Sequence, residues 1–421
     1  MNYNEDEYNQ KLLDSINYAY GNVPFYQDQL KDKKINSVND LKSLPICSKT
    51  CFENKPLSYI TAVKPEELGI SFSTTGTTKT SYTVHLTRND FMQWLVAKAR
   101  DALVKFIGLT DSDIIANTFG FGLVQPGCEY TFGAIEAGAH VYPVGTGTLT
   151  SSKETIRIIG QREVTTVFAT PYYAMRLTDV ALEMGINPAD LCVKRFVVTG
   201  ETLTCAARKR IEESWCAEVF NVFGMAEVGV VGAECKAHKG MHILSDYLYP
   251  ELTNLQALTP DGSIQMGELV LTTIGKLGMP FVRYNTCDLV ALTNDKCSCG
   301  FSNTSITAHY GRSDGMIKIK GKGVYPSRIE EALLSIPELS SEYKIVIDHG
   351  TYFDSITILA ETQKGVKVDE MFIETLTRKI KDEVGLNLSL KICDYGKLPR
   401  SEGWKAKRIV TSCSEEYSPS T

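Results

Sequence analysis

The sequence lacks any apolar run of membrane-spanning length, and its N-terminus, MNYNEDEYNQ, has neither the basic nor the apolar stretch of a secretory leader. The expectation is a cytoplasmic protein that does not engage a membrane. Positive charge is also short: 44 lysines and arginines against 50 acidic residues leave a net charge of −6, the wrong sign for a nucleic-acid footprint. No internal repeat or low-complexity tract is present. The Walker pattern G-x-x-x-x-G-K-[ST] is absent too, which excludes that way of holding a nucleotide.

What is present is a globular composition, 43% hydrophobic and 22% charged over 421 residues, a length that favours two domains. Twelve cysteines are many for a reducing compartment, where a disulfide framework is not expected. Most stand singly in apolar runs, as Cys192 and Cys216 do, and read as small buried hydrophobes.

Tyr8, Leu12, Leu13, Ile16 and Tyr20 recur at helical spacing and the pattern stops at Gly21 and Pro24. The first half then alternates helical patterns with short apolar strands at 113–118, 140–144, 165–169 and 195–199, which predicts a largely parallel sheet covered by helices. From about 240 to 310 the texture changes to short strands and turns, with Pro-Asp-Gly at 260–262. Beyond residue 314 the order reads hairpin, helix, strand, strand, helix, strand. Ile329, Ala332, Leu333 and Ile336 give its first helix an apolar face, and Phe372, Leu376, Ile380 and Val384 its second, closed by Gly385. The fold class expected is α/β: a large domain, 1–313, and a small α+β domain, 314–421.

Five segments carry chemistry. SFSTTGTTKTS (71–81) sets hydroxyls around Gly76, so that Thr74, Thr75, Thr77, Thr78 and the backbone can turn toward phosphate oxygens. NVFGMAEVG (221–229) places Glu227 among apolar neighbours, where a divalent cation on nucleotide phosphates would satisfy it. VRYNTCDL (282–289) puts Asp288 at a strand end, suited to ribose hydroxyls. GRSDGMIKIKG (311–321) offers Arg312 as a charge and Asp314–Gly315 as a hinge. LPRSEGWKAKR (398–408) is a basic loop near the C-terminus.

In this order and spacing the set resembles the adenylate-forming superfamily of acyl-CoA synthetases, luciferases and peptide-synthetase adenylation domains, and specifically its phenylacetate–CoA ligase branch. The resemblance spans nearly the whole chain, from YGNVPFY (20–26) through NTFGFGL (117–123), GELVLTT (267–273) and MPFVRYNTCDL (279–289) to the terminal lysine loop. It implies an acid–thiol ligase. The carboxylate attacks the α-phosphate of ATP to give an acyl-adenylate and pyrophosphate, and the thiol of coenzyme A, or of a carrier protein's phosphopantetheine, then displaces AMP. By position, Glu227 is expected to hold Mg²⁺, Asp288 the ribose, and Arg312 the ribose or phosphate. Asn221, Phe223, Gly224 and Met225 are expected to border the nucleotide, as are Gly200 and Glu201 on its adenine side. Lys405 is expected to bridge carboxylate and α-phosphate, because Arg408 follows it by three residues as in the family pattern. Asp314 is the expected pivot of a mobile small domain.

The resemblance also locates an acyl pocket, lined by Phe119, Phe121, Gly122, Tyr130 and Tyr172, with Phe132 and Tyr173 nearby. Apolar aromatic walls favour an aryl or arylacetic acid. Two departures weaken the match: Lys79 and Thr80 stand where the phosphate loop has glycine and lysine, and Ala226 stands where a serine or threonine contacts the α-phosphate. Each loses a contact worth about 1–3 kcal/mol, which raises a catalytically weak ligand-binding relative as an alternative. Cys297 and Cys299 form a C-x-C turn that could chelate an ion with Cys235 and His242, His238 competing. Some members of the branch carry zinc near these positions, and a set without an open coordination site would be structural. A homodimer is left open.

Overall fold

The computed structural model describes residues 5–29, 35–73, 82–257, 265–319, 322–348, 355–401, 403 and 405–411. Three short helices follow the first, α1 (Glu5–Asn22): α2 (Pro24–Gln29), α3 (Lys49–Phe52) and α4 (Leu57–Ile60). Strands β1 (Leu68–Ser73) and β2 (Thr83–Thr87) form a hairpin, and α5 (Ala97–Ala102) continues at both ends into wide-turned helix, Asp90–Val96 and Leu103–Ile107. Then come β3 (Ile114–Asn117), α6 (Gln125–Glu136), β4 (His140–Tyr142), α7 (Ser152–Gln161), β5 (Thr166–Ala169), α8 (Pro171–Glu183), β6 (Arg195–Val198) and α9 (Cys205–Trp215). The strand-rich stretch holds β7 (Glu218–Met225), β8 (Gly229–Glu234), β9 (Met241–Ile243), β10 (Leu248–Ala257), β11 (Gln265–Thr273), β12 (Tyr284–Thr293) and β13 (Ser305–Arg312). The last part comprises β14 (Ile317–Ile319), β15 (Lys322–Val324), α10 (Pro326–Leu334), β16 (Leu339–Asp348), β17 (Ser355–Thr362), α11 (Glu370–Val384), β18 (Ser389–Cys393) and β19 (Ile409–Thr411).

The chain forms two compact units, residues 1–143 with 220–313 and residues 144–219 with 314–421, so that one break falls between Ser313 and Asp314. In the first unit α1 buries Leu12, Ile16 and Ala19 at successive turns and carries Glu5, Asp6 and Glu7 at its N-terminus, where the helix dipole favours negative charge. Its strands run in the order β10-β11-β12-β13-β9-β8-β7, with every resolved pairing antiparallel, while β3 and β4 pair in parallel. Strands joined by short turns pair antiparallel, and those separated by a helix pair parallel. The sheets are therefore mixed. The parallel pairs, β3–β4 here and β5–β6 in the second unit, fall on the four strands expected from sequence.

In the second unit, α8 and α9 are capped by Thr170 and Thr204, whose hydroxyls accept from Tyr173 and Ala207 N–H at 3.1 and 3.2 Å. Residues 314–411 show the expected order with one further strand, β19, which pairs parallel to β16. Ile329, Ala332, Leu333, Ile336, Leu376 and Ile380 are buried in one core, with Phe372 and Val384 packed against it. Gly385 ends α11 in the left-handed conformation.

The cysteine expectation needs correction. Cys192 and Cys216 are exposed. Cys216 is the left-handed C-cap of α9, φ 49°, so the chain turns out of the core just where the apolar run suggested it stayed in. The turn at 260–262 lies outside the described residues. Among the described residues no helix is long and apolar enough to cross a membrane.

Candidate active site

The first unit brings Glu227, Asp288 and Arg312 together. Against β11, β12 is interrupted: Leu289 pairs with Glu268 but Asn285 with Val270, so 286–288 bulge from the ladder. A bulge re-aims a side chain. Cys287 passes through φ 61°, its N–H donating to Asn285 Oδ1 at 2.8 Å, and Asp288 N–H donates to Thr286 Oγ1 at 3.0 Å. The Asn-Thr-Cys-Asp sequence thus satisfies its own backbone while presenting Asp288. On the other side Asp288 is registered with Arg312 of β13, whose Nη1 lies 4.0 Å from Oδ2 and donates to Thr286 O at 3.0 Å. His309 Nε2 is 2.9 Å from Asp288 Oδ1, and its ring lies 5.1 Å from that of Phe223.

Glu227 sits in the turn between β7 and β8. Asn221, Phe223, Gly224 and Met225 lead into it along β7, with Gly224 and Met225 facing Val230 and Gly229, and Asn221 N–H donates to Glu234 Oε2 at 2.9 Å. The Glu227 carboxyl is buried and accepts from Tyr284 Oη at 2.8 Å, which engages one of its two oxygens. Burial pushes its pKa up, opposed by the Tyr284 bond, its own backbone, and the charges of Arg312 and Lys276. Arg312 therefore acts on both carboxylates. A buried, partly neutralised oxygen ligand suits a hard cation such as Mg²⁺.

The second unit holds Lys405. Its loop is fastened at one end by Arg400, whose Nη2 and Nη1 donate to Glu361 at 2.5 and 2.8 Å, and at the other by Arg408, which donates to Ser341 O at 2.8 Å and Glu342 Oε2 at 3.3 Å. Ser401 Oγ donates to Lys405 O at 3.1 Å. Burial lowers the Lys405 pKa and Glu201 opposes that shift. Gly200, φ 87°, turns the chain out of β6 so that Glu201 accepts Tyr172 N–H at 3.2 Å. Burial, reinforced by Glu330, drives Glu201 up to about 7, and Lys405 and Arg408 pull it back. Tyr172 Oη donates to Glu342 Oε1 at 2.9 Å and accepts from Ser401 N–H at 2.9 Å, so this hydroxyl belongs to the anchorage of the lysine loop.

Around the expected acyl pocket, Asn117 organises the loop 117–127: Nδ2 donates to Gly127 O at 3.0 Å and Thr131 Oγ1 at 2.8 Å, and Oδ1 accepts Phe119 N–H at 3.0 Å. Phe119 and Tyr130 are fully enclosed, edge to face at 5.0 Å, whereas Phe121 is half-buried beside Gly122, φ 85°. A Cβ on Gly127 would overlap Gly120 O and come within 2.8 Å of Phe121, so only glycine lets α6 start there. Leu123 O accepts Ser73 N–H at 2.9 Å, tying this loop to the residue that enters the hydroxyl-rich segment. Thr74, Thr75, Gly76, Thr77 and Thr78 lie outside the described residues, as do Lys79, Thr80 and Trp404.

Cys235, His242, Cys297 and Cys299 converge, their ligand atoms all within 4.8 Å of one another. His242 Nε2 is 3.2 Å from both Cys235 and Cys299 Sγ, and Cys235 and Cys297 Sγ are 3.8 Å apart. Tetrahedral zinc with bonds of about 2.0–2.3 Å sets such atoms roughly 3.5–3.8 Å apart. His242 Nδ1 is 2.9 Å from Ser305 Oγ, its cross-strand partner, which orients Nε2 toward the thiols. His238 turns instead to Glu234, at 3.2 Å.

Sequence reasoning missed Tyr284, His309 and Lys276. Tyr284 lies inside a quoted motif, but nothing in its spacing says that it faces Glu227. His309 becomes visible only once β12 and β13 are paired. Arg408 served only to choose between lysines, and here it is also an anchor, bonded to the buried Glu342.

An acidic pair sharing an arginine, with a separate half-buried lysine in a C-terminal loop, is the set of charges a nucleotide-dependent acid-activating enzyme needs. Residues 321–412 match the AMP-binding enzyme C-terminal domain. The chain is 30% identical over 426 residues to a phenylacetate–coenzyme A ligase of Thermus thermophilus, covering 95% of each, and 29% identical to one of Escherichia coli, covering 95% of this chain and 93% of that one. In fold it is similar to a 2-hydroxyisobutyryl-CoA ligase crystallised with its acyl-adenylate, with a TM-score of 0.86 at 23% identity, covering 96% of this chain and 88% of the other. The chain belongs to the phenylacetate–CoA ligase family. It is an AMP-forming acid–thiol ligase, making an acyl-CoA from ATP, an acid and coenzyme A through an acyl-adenylate.

Proposed function

We propose that the acid is aryl or arylacetic, and that Phe121, Gly122, Phe119 and Tyr130 shape its pocket. The observation that carries this is the aromatic loop 117–130, fastened through Leu123 to Ser73 beside the hydroxyl-rich segment. The relatives that match over nearly the full chain, from Thermus thermophilus, Aromatoleum evansii, Pseudomonas putida and Escherichia coli, are phenylacetate–coenzyme A ligases.

In the proposed mechanism Asp288 accepts hydrogen bonds from the ribose hydroxyls, His309 holding its other side, and Phe223 flanks the base. Arg312 spreads positive charge over the phosphate side. Thr74–Thr78 cradle the outer phosphates. Glu227 holds Mg²⁺, which when bound supplies charge to the departing pyrophosphate. Lys405 draws the carboxylate and α-phosphate into line. With adenylation complete, residues 314–421 turn about Asp314, withdrawing Lys405 and admitting the thiol. A structural zinc is held by Cys235, His242, Cys297 and Cys299.

ATP–pyrophosphate exchange over phenylacetate, benzoate, ring-substituted relatives and short aliphatic acids tests the substrate class. At least tenfold higher kcat/KM for ring-bearing acids is expected. Preference for an aliphatic acid would overturn the aryl assignment, and no exchange with any acid would favour the ligand-binding reading. Offering coenzyme A and a phosphopantetheinylated carrier protein together decides whether a carrier competes as acceptor.

A further inference from the structure

We infer that Lys276 and Lys98, with Glu129, are positioning residues that fix Glu227 through the backbone of the turn carrying it. Three near-consecutive backbone groups of that turn are each taken by a different buried charged side chain. Lys276 Nζ donates to Glu227 O at 2.7 Å, Lys98 Nζ donates to Val228 O, and Val230 N–H donates to Glu129 Oε1 at 2.9 Å. The three come from separate places: α5, α6 and the segment after β11. Between them Gly229 adopts φ 66°, and a Cβ there would overlap both Glu129 Oε1 and Leu95.

The two ammonium groups are almost wholly buried, Lys98 at 0% and Lys276 at 2% exposure. Burying lysine is costly, and an apolar residue of similar volume generally fills a core at least as well. Packing alone therefore does not account for two lysines aimed at the carbonyls of one turn. The surroundings are arranged to keep them there. Lys98 lies over the Trp94 ring at 3.6 Å, and Lys276 over Phe281 at 4.6 Å. Asp90 accepts Leu277 and Gly278 N–H at 2.7 and 2.6 Å, pinning the segment that follows Lys276, and Gln125 donates to Glu129 Oε2 at 3.1 Å. The turn's position is thus set from behind while Tyr284 sets the carboxyl from the front. A metal ligand displaced by a fraction of an ångström loses much of its effect.

The inference rests on the assignment of Glu227 to magnesium, and the test separates the two. Mn²⁺ affinity is measured by electron paramagnetic resonance on the full chain with α,β-methylene-ATP, and AMP affinity by calorimetry in EDTA. Glu227→Gln is the reference and should weaken Mn²⁺ about tenfold or more. Lys276→Met and Lys98→Met should each weaken Mn²⁺ about tenfold, with AMP affinity changed less than twofold. Equal weakening of both ligands in the methionine variants, or no change in either while Glu227→Gln loses Mn²⁺, overturns the positioning role alone. Unchanged Mn²⁺ affinity in Glu227→Gln overturns the magnesium assignment, and the inference falls with it. Where Lys276→Met does not fold, Lys98→Met carries the same outcomes.

Discussion

Glu227 and Asp288 sit in backbone that is pinned on every side, whereas Lys405 sits in a loop held by side chains at its two ends. The acidic turn is fixed by Lys276, Lys98 and Glu129, and the Asp288 bulge by its own Asn285 and Thr286 and by registry with β13. The lysine loop hangs on Arg400–Glu361, Arg408–Glu342 and the Tyr172 hydroxyl. Undoing the first set means breaking strands. In the second set both ion pairs join partners within residues 314–421, so a turn about Asp314 carries them along and releases only the bonds of the Tyr172 hydroxyl. A two-step ligase needs this asymmetry if the nucleotide stays put while one charge comes and goes.

The comparison breaks most visibly at Lys405. Lys405→Ala should lower adenylation, read as ATP–pyrophosphate exchange, by about 10²–10³-fold, the loss typical of one preorganised charge. Thioester formation from supplied acyl-adenylate and coenzyme A should change only a few-fold. Equal loss in both half-reactions would make Lys405 part of the fixed site.

The next largest effect is expected on the fixed side. Ser305, bonded to His242, starts the strand that ends at Arg312. Cys235→Ser should cut zinc content, by elemental analysis, well below one per chain and lower the thermal midpoint by several degrees, since a structural ion contributes directly to folding. A full zinc complement in this variant would remove Cys235 from the ligand set.

How far this asymmetry could be read in advance depends on its scale. Local chemistry was legible: the four parallel strands, the helix faces of residues 314–411, and the Cys–His quartet, whose members were identified before their convergence was known. Glu227, Asp288 and Arg312, which the structure brings together, were singled out through ordered motifs and resemblance, as was Lys405 in the other unit. What was hidden is pairwise and long-range. Tyr284 reaches Glu227 across 57 residues and Lys276 reaches it across 49, and neither spacing has any period. Lys98 and Glu129 lie on helices where a charged residue ordinarily faces water. Cys216 misled because an apolar run says nothing about which side of a helix cap faces solvent.

The smallest effect concerns the surroundings of Lys405. Glu201 titrates near 7 when folded against 4.5 for the ordinary group, because burial and Glu330 outweigh Lys405 and Arg408. Below about 4.5 the carboxyl is protonated in both states and burying it carries no charge penalty. As pH rises toward 7 the unfolded chain releases its proton before the folded one does, so the folded state binds more protons and stability falls with pH. A tenfold difference in proton affinity between the two states corresponds to about 1.36 kcal/mol, and the total expected here is on the order of 1–3 kcal/mol. Glu201→Gln removes the titration, so its stability in urea between pH 5 and 8 should fall less steeply than that of the parent chain. Parallel curves would mean that Glu201 keeps its proton in neither state, and that the lysine loop rests against a permanent charge.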